Sequence, residues 1–285
     1  MILLDFNQVA ISNLFQNLNI NKSSSTIKVE EDLLRHMILN TIRGIVQYNK
    51  AEYGELVICC DNKVYWRKEF YPHYKANRKK DRDNSGLDWE SFFVSLNKIK
   101  AEIMEFMPYK VIDVYGAEAD DVIAVLVKQL HENEKILIVS ADKDLSQLQK
   151  YKNVKQLNPI AKKLINIDDP EEFLYEHIIR GDSGDGIPNF LSDDDTFVTS
   201  KRQKPISSNK LQAWLKQKPE DYCDEKMIAG FIRNRKLIDF DYIPDLIKKN
   251  VLESYNREFV KDKNKMFNYF VSAKLKNLME NIQDF

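Results

Sequence analysis

Cysteine and histidine are scarce, and their placement rules out more than their number does. Only Cys59, Cys60 and Cys223 occur among 285 residues. They have neither metal nor redox spacing, so the sequence offers no zinc ribbon and no disulfide scaffold. Cys59 and Cys60 lie in an apolar run and are expected to be buried and reduced, as in a cytosolic protein. The four histidines, His36, His73, His131 and His177, show no ligand spacing, and no Ser–His or Cys–His dyad is implied. No apolar run approaches the ~20 residues of a membrane span, and no basic leader with a cleavage site precedes the first strand. Charge of one sign is not in excess either. Lys plus Arg is 43 against 44 for Asp plus Glu, a formal −1, which argues against a simple polycation but allows the two signs to be segregated.

Segregated acids are what the chain has. Gly116–Leu148 organises it: a helix opens on Glu118, Asp120 and Asp121, and the strand KILIVS then ends at Asp142 and Asp144. Val122, Ile123, Leu126, Val127 and Leu130 recur at helical spacing, so that helix has an apolar face. KILIVS is a continuous apolar run, as in a strand of a parallel sheet covered on both faces. The same strand-then-acid order appears twice earlier, MILL before Asp5 and ELVICC before Asp61, and GDSGDGIPN later adds Asp182 and Asp185. Taken singly, Asp5 or Asp61 reads better as a turn or helix cap; the repetition weakens that reading. In open α/β sheets the strand ends are the ligand side.

Between these lies a basic, aromatic stretch. Lys63 to Arg82 carries Arg67, Lys68, Lys75, Arg78, Lys79 and Lys80, interleaved with Tyr65, Trp66, Phe70, Tyr71 and Tyr74. A solvated charged helix is the bland reading; the alternative is a surface that follows phosphates and stacks on unpaired bases. Residues 83–86 read as a break before a helix over 89–107, Pro108 stops that helix, and YKVIDVY supplies a strand. A polar turn is expected at 22–28, a helix over 31–48, a strand at NVKQL and a helix over 170–180. Helices follow at 225–236, 245–255 and 263–282, after a basic segment with Lys201, Arg202 and Lys204. The expected organisation is an α/β unit over 1–180, with the basic stretch as an arch near 63–100, and a helical, DNA-binding part over 181–285.

If the strands are parallel neighbours, Asp5, Asp61, Glu118, Asp120, Asp121, Asp142, Asp144, Asp182 and Asp185 converge. Crowded carboxylates raise one another's pKa unless a cation intervenes. Oxygen donors without His or Cys favour Mg²⁺ or Mn²⁺ over zinc, and the spacing does not continue into an EF-hand. So many acids suggest two ions about 3.5–4 Å apart, clamping the attacking and leaving oxygens of a phosphodiester. Glu118, Asp120 and Asp61 are assigned to the first ion and Asp142, Asp144 and Asp185 to the second, with Asp5, Asp121 and Asp182 acting through water. Lys75 and Arg78, one helical turn apart, can face the pit and offset phosphate charge.

AEADDVIAVL, SADKDLSQL and GDSGDGIPN resemble the three acidic blocks of the 5′-nuclease, or flap endonuclease, family, in order, and HYKANR resembles its helical arch. LIDFDYIPD at 237–245 and the last 19 residues resemble phage members of that family. The resemblance implies an α/β fold with a mostly parallel central sheet flanked by helices (PIN-like), a basic helical arch and a C-terminal helical subdomain. It implies a 5′→3′ exonuclease that also cuts 5′ flaps and removes RNA primers from DNA and RNA–DNA duplexes, with two Mg²⁺ ions for which Mn²⁺ substitutes. Lys75 and Arg78 then fall at the phosphate-contacting positions, and Arg67, Lys68, Tyr74, Lys79 and Lys80 are assigned to the nucleic-acid surface. Where the family continues into a glycine-rich turn, this chain reads GIPNFLSDDDTFV, which puts a potassium site in doubt and leaves Lys201, Arg202 and Lys204 to grip duplex. A monomer in the cytoplasm is expected, that of a bacterial host if the chain is phage-encoded. A single-stranded-DNA-binding protein is a candidate partner for the C-terminal helices; a sliding clamp is not favoured, since Met1 starts the first strand. A PIN-like ribonuclease and a catalytically silent DNA-binding protein are the rival readings.

Overall fold

A computed structural model describes residues 1–17 and 27–285; of the turn expected at 22–28, residues 22–26 lie outside them. The described residues form one sheet of six strands: β1 Ile2–Asp5, β2 Leu56–Cys59, β3 Lys110–Ile112, β4 Ile136–Val139, β5 Val154–Asn158 and β6 Lys163–Ile165. Their order is β3-β2-β1-β4-β5-β6, parallel throughout except for β6, which pairs antiparallel with β5. The chain winds outward from β1 to β2 and β3, then crosses back to β4 on the other side. The switch point between β1 and β4 opens a crevice at the strands' carboxyl ends.

Alternation along the strands builds two cores. Ile2, Leu4, Leu56, Ile58, Leu137 and Val139 face one side, under α1 (Phe6–Asn17), α2 (Glu31–Tyr53) and α5 (Trp89–Phe106). Leu3, Val57, Cys59, Ile136 and Ile138 face the other, under α6 (Ala119–Leu130). Both faces are covered, so β2 and β4 are apolar at every position and β1 at every position before Asp5. Cys59 and Cys60 are buried and free, as expected.

A third core lies beneath the strand ends. It joins Tyr71 and Tyr74 to Ile178 and Ile179 of α7 (Pro170–Arg180) and to Phe231, Leu237 and Ile238 of α10 (Glu225–Ile238), with α8 (Ser208–Trp214) and α9 (Pro219–Tyr222) around it. The residues after Arg180 do not share a core of their own. Ile247 and Val251 of α11 (Asp245–Asn256) pack with α6. Met266 and Phe270 of α12 (Lys263–Ser272) and Leu278 of α13 (Lys276–Met279) pack in the core with α2 and α5. The helix expected over 263–282 is therefore two, broken where Lys274 takes a positive φ of 56°. The arch is built from α3 (Trp66–Phe70), α4 (Arg78–Asp83) and the start of α5 rather than one long helix. Asp193, Asp194 and Asp195 pair with Lys226, Arg233 and Lys201. No described helix is long and apolar enough to cross a membrane.

Candidate active site

Three acids stand at the ends of three adjacent strands. Asp5 closes β1, Asp61 follows β2 by two residues and Asp142 follows β4 by three. Each is held by the local backbone. Asp5 accepts from Gln8 N at 3.0 Å and Ser140 Oγ at 2.9 Å. Asp61 accepts from Ala119 N at 2.8 Å, which ties the start of α6 to the end of β2. Asp142 accepts from Asp144 N at 3.0 Å and so opens the 3₁₀ segment Lys143–Lys150. Glu118 caps α6 in a reciprocal box with Asp121. The 182–186 loop completes the pit. Gly181 and Gly186 have φ of 67° and 73°, and a Cβ on Gly181 would meet the Ile187 carbonyl oxygen at 2.5 Å. Only glycine lets the loop fold back this tightly.

The arch base is fastened to that loop. Lys75 N donates to Asp185 O at 2.7 Å, Asn77 Nδ2 to Ser183 O at 2.8 Å, and Arg78 pairs with the Asp185 carboxylate. Lys75, at a φ of 56°, sends its ammonium into the pit, 2.5 Å from Glu118 Oε1 and 3.6 Å from Asp185 Oδ2. Tyr74 OH lies 2.8 Å from Asp185 Oδ2 and 3.1 Å from Glu118 Oε2, its one proton shared between the two carboxylates.

The acids divide by whether the protein supplies them a cation. Burial resists ionisation of Glu118, but Lys75 and Arg67 pull its pKa down to about 2. Burial also resists ionisation of Asp182, yet hydrogen bonds from His177 and Lys143 hold it below the usual carboxylate range. Among the described residues, no Lys or Arg pairs with Asp5, Asp61, Asp120, Asp142 or Asp144; the nearby ones go to Glu118, Asp121, Asp182 and Asp185. Burial, then Asp61, pushes Asp5 up to about 7. Burial, then Asp142 and Asp5, pushes Asp120 well above its ordinary value. Burial raises Asp61 despite Lys75, and raises Asp144 to about 7 despite His177. These mutual effects place Asp5, Asp61, Asp120, Asp142 and Asp144 in one crowded group.

Three expectations need correction. Arg67 is not on a nucleic-acid surface: it is 3% exposed and pairs with Glu118 at 2.9 Å and Asp121 at 2.8 Å. Tyr74, also 3% exposed, is spent on the hydrogen bonds to Glu118 and Asp185 rather than on a base. Asp121 is fully buried, with Oδ2 accepting from Trp66 Nε1, Arg67 and Glu118 N, so it orders the start of α6 instead of facing the pit. Lys68, Lys79, Lys80, Lys201, Arg202 and Lys204 are exposed. His177, set aside in the sequence for want of ligand spacing, lies against Asp144 and Asp182. It lies five residues before Asp182, in the last turn of the helix that leads into the acidic loop, the one sequence signal that could have drawn attention to it.

Such a pit has a pH signature. Asp5 and Asp144 bind a proton more readily folded, at about 7, than unfolded, near 3.8. Between those values folding takes up protons, so stability falls as pH rises. Glu118 and Asp182 act in the opposite sense, but only below their unfolded values. The metal-free protein should therefore melt at a lower temperature at about pH 7.5 than at about pH 5, with a saturating divalent ion restoring the loss. A melting temperature that climbs over that range without metal would contradict the crowding.

A parallel sheet with a carboxylate pit at its switch point, overhung by cations, defines a nuclease that works with divalent metal. The chain belongs to the 5′–3′ exonuclease family: the model of that family's N-terminal, resolvase-like domain matches residues 1–177, and the model of the T4 RNase H C-terminal region matches residues 169–285. Ribonuclease H of Enterobacteria phage T4 is 37% identical across 99% of this chain and 95% of its own length. Flap endonuclease Xni of Shewanella woodyi is 35% identical over 53% of this chain and 59% of its own. A bacteriophage T5 flap endonuclease, solved as a pseudo-enzyme-product complex with DNA and metal ions, superposes with a TM-score of 0.60 at 18% identity, covering 90% of this chain and 99% of that one.

Proposed function

We propose that the chain is a divalent-metal-dependent 5′→3′ exonuclease and 5′-flap endonuclease, acting on DNA and RNA–DNA duplexes and removing RNA primers during lagging-strand replication. The observation that carries this reading is the set of crowded carboxylates without a Lys or Arg partner, Asp5 buried and Asp61, Asp120, Asp142 and Asp144 half-buried, beside two arch cations. The donors fit a hard divalent ion: they are crowded, mostly half-buried oxygens, and Asp144 Oδ1 has no hydrogen-bond partner. Two Mg²⁺ ions, for which Mn²⁺ would substitute, would supply there a water of lowered pKa for in-line attack and positive charge to offset the departing 3′ oxygen. Asp61 and Asp120, with Glu118 beside them, would hold one ion; Asp142, Asp144 and Asp185 would hold the other. Asp5 would support both through water, and Asp182 sets the loop by accepting from Gly184 N at 2.8 Å and Asp185 N at 3.2 Å.

The chain's cations bring the phosphate to this pit. Lys75 and Arg78 now neutralise Glu118 and Asp185, and an arriving scissile phosphate competes for them at the same place. The exposed Lys68, Lys79 and Lys80 give the unpaired 5′ strand an electrostatic track, and Lys201, Arg202 and Lys204 do the same for duplex. The chain acts as a monomer inside a bacterial host cell, with a single-stranded-DNA-binding protein against the C-terminal helices. The deciding assay incubates a 5′-labelled flap duplex with and without Mg²⁺ and maps the product ends. Metal-dependent release of the flap with a 5′-phosphate on the remaining strand is expected. A chain that ignores the flap but cuts single-stranded RNA would be a PIN-like ribonuclease instead.

A further inference from the structure

The imidazole of His177 stands in the pit wall with one nitrogen unaccounted for. The residue is 6% exposed, in the last turn of α7, and the Phe173 ring lies 5.9 Å from its own at 61°. Nε2 is 3.2 Å from Asp182 Oδ2, whose other neighbour is Lys143 Nζ at 2.9 Å. Nδ1 faces Asp144 Oδ1 at 3.4 Å. Both of those atoms are enclosed and without a hydrogen-bond partner. One donor atom each from Asp144, His177 and Asp182 lie within 4.8 Å of one another.

We infer that His177 is a ligand, through Nδ1, of the ion at the Asp142–Asp144 side of the pit, and that it biases that position toward Mn²⁺ over Mg²⁺. The inference rests on reading the pit as a divalent-metal site. A neutral imidazole with its proton on Nε2 donates to Asp182 and turns a lone pair on Nδ1 toward the lone pairs of Asp144 Oδ1. Two acceptors opposed across a buried gap call for a cation between them. An imidazole that gives its second N–H to a carboxylate while binding metal with the other nitrogen is the usual way a protein fixes a histidine ligand. The separation also fits. At bond lengths of about 2.1 Å, two donors on one ion stand roughly 3.0 Å apart at a right angle and roughly 3.4 Å apart at the tetrahedral angle. Imidazole suits Mn²⁺ and later transition ions better than Mg²⁺, which keeps oxygen and water. Replacing an oxygen donor by nitrogen at one position therefore changes ion preference there without altering the other acids.

The test uses the full chain loaded with Mn²⁺ and pulsed electron paramagnetic resonance, which detects a nitrogen bound to manganese. One imidazole ¹⁴N coupling is expected in the wild type and none in His177→Gln. Calorimetric titrations of the variant should show Mn²⁺ affinity lowered about tenfold or more, with Mg²⁺ affinity lowered less. Mn²⁺ bound in the wild type without nitrogen coupling overturns this inference and leaves the metal reading of the pit standing; His177 would then be a protonated bridge between two carboxylates. No Mn²⁺ bound at all overturns both. Should His177→Gln fail to fold, the wild-type spectrum decides alone.

Discussion

Asp120→Asn is expected to lower cleavage of a flap substrate by at least about a thousandfold, roughly 4 kcal/mol of barrier, while making the metal-free protein more stable. The two effects have one origin. Asp120 opens α6 directly beneath the crevice, and burial with the charges of Asp142 and Asp5 keeps its pKa well above the ordinary value. A carboxylate in that position is strained until a divalent ion arrives, so removing its charge relieves the apo protein and disables the loaded one. With metal chelated at neutral pH, the variant should melt at least about 2 °C above wild type. Flap-DNA binding should persist, because the exposed lysines that grip the strands are untouched. A variant that cuts at the wild-type rate would remove Asp120 from the chemistry. One that loses activity and melts lower would make it a structural residue instead.

What the sequence revealed, and what it concealed, follows from the range over which each feature is encoded. Strand followed by acid is local: ELVICC then Asp61, or KILIVS then Asp142, holds both the buried strand and the group that must emerge at its end. The sheet's switch point could therefore be anticipated from short segments read in order. The helix Phe6–Asn17 was not assigned because Asn7, Gln8, Ser12 and Asn13 blur its apolar spacing of Phe6, Val9, Ala10 and Leu14, and contact with β1 and α2 supplies what periodicity does not. The arch was read only by composition. A run of basic and aromatic residues looks the same whether it faces solvent or folds inward. For Arg67 and Tyr74 the deciding acids, Glu118, Asp121 and Asp185, lie 44 to 111 residues away. His177 is a similar case: its partner Asp144 precedes it by 33 positions and belongs to a different element. Ligand spacing rules detect donors on one element, and this pit draws its donors from several.

Three arch cations give the sharpest separation of roles. Lys75→Met should reduce the single-turnover rate by about a hundredfold to a thousandfold while changing flap-DNA affinity by less than about fivefold. The argument is positional. The Lys75 ammonium lies among Glu118, Asp185 and the rings of Tyr74 and Tyr65, at 4.9 and 5.7 Å from their centroids, and burial there is outweighed by Glu118 and Asp185, which hold the proton on. A permanently charged group already aimed at the carboxylates needs little rearrangement when the scissile phosphate takes their place, and methionine keeps the stem while deleting the charge. Arg78, with 42% of its side chain exposed and a single carboxylate partner, should lose less on the same substitution. Arg67→Met should act differently again. It leaves the buried Asp121 without its cation and unties α3 from the Leu237 carbonyl oxygen, so the expected loss is in folding, with a lowered melting temperature in the presence or absence of metal. Equal rate losses with unchanged melting in all three variants would refute this division, because burial would then have no bearing on what each cation does.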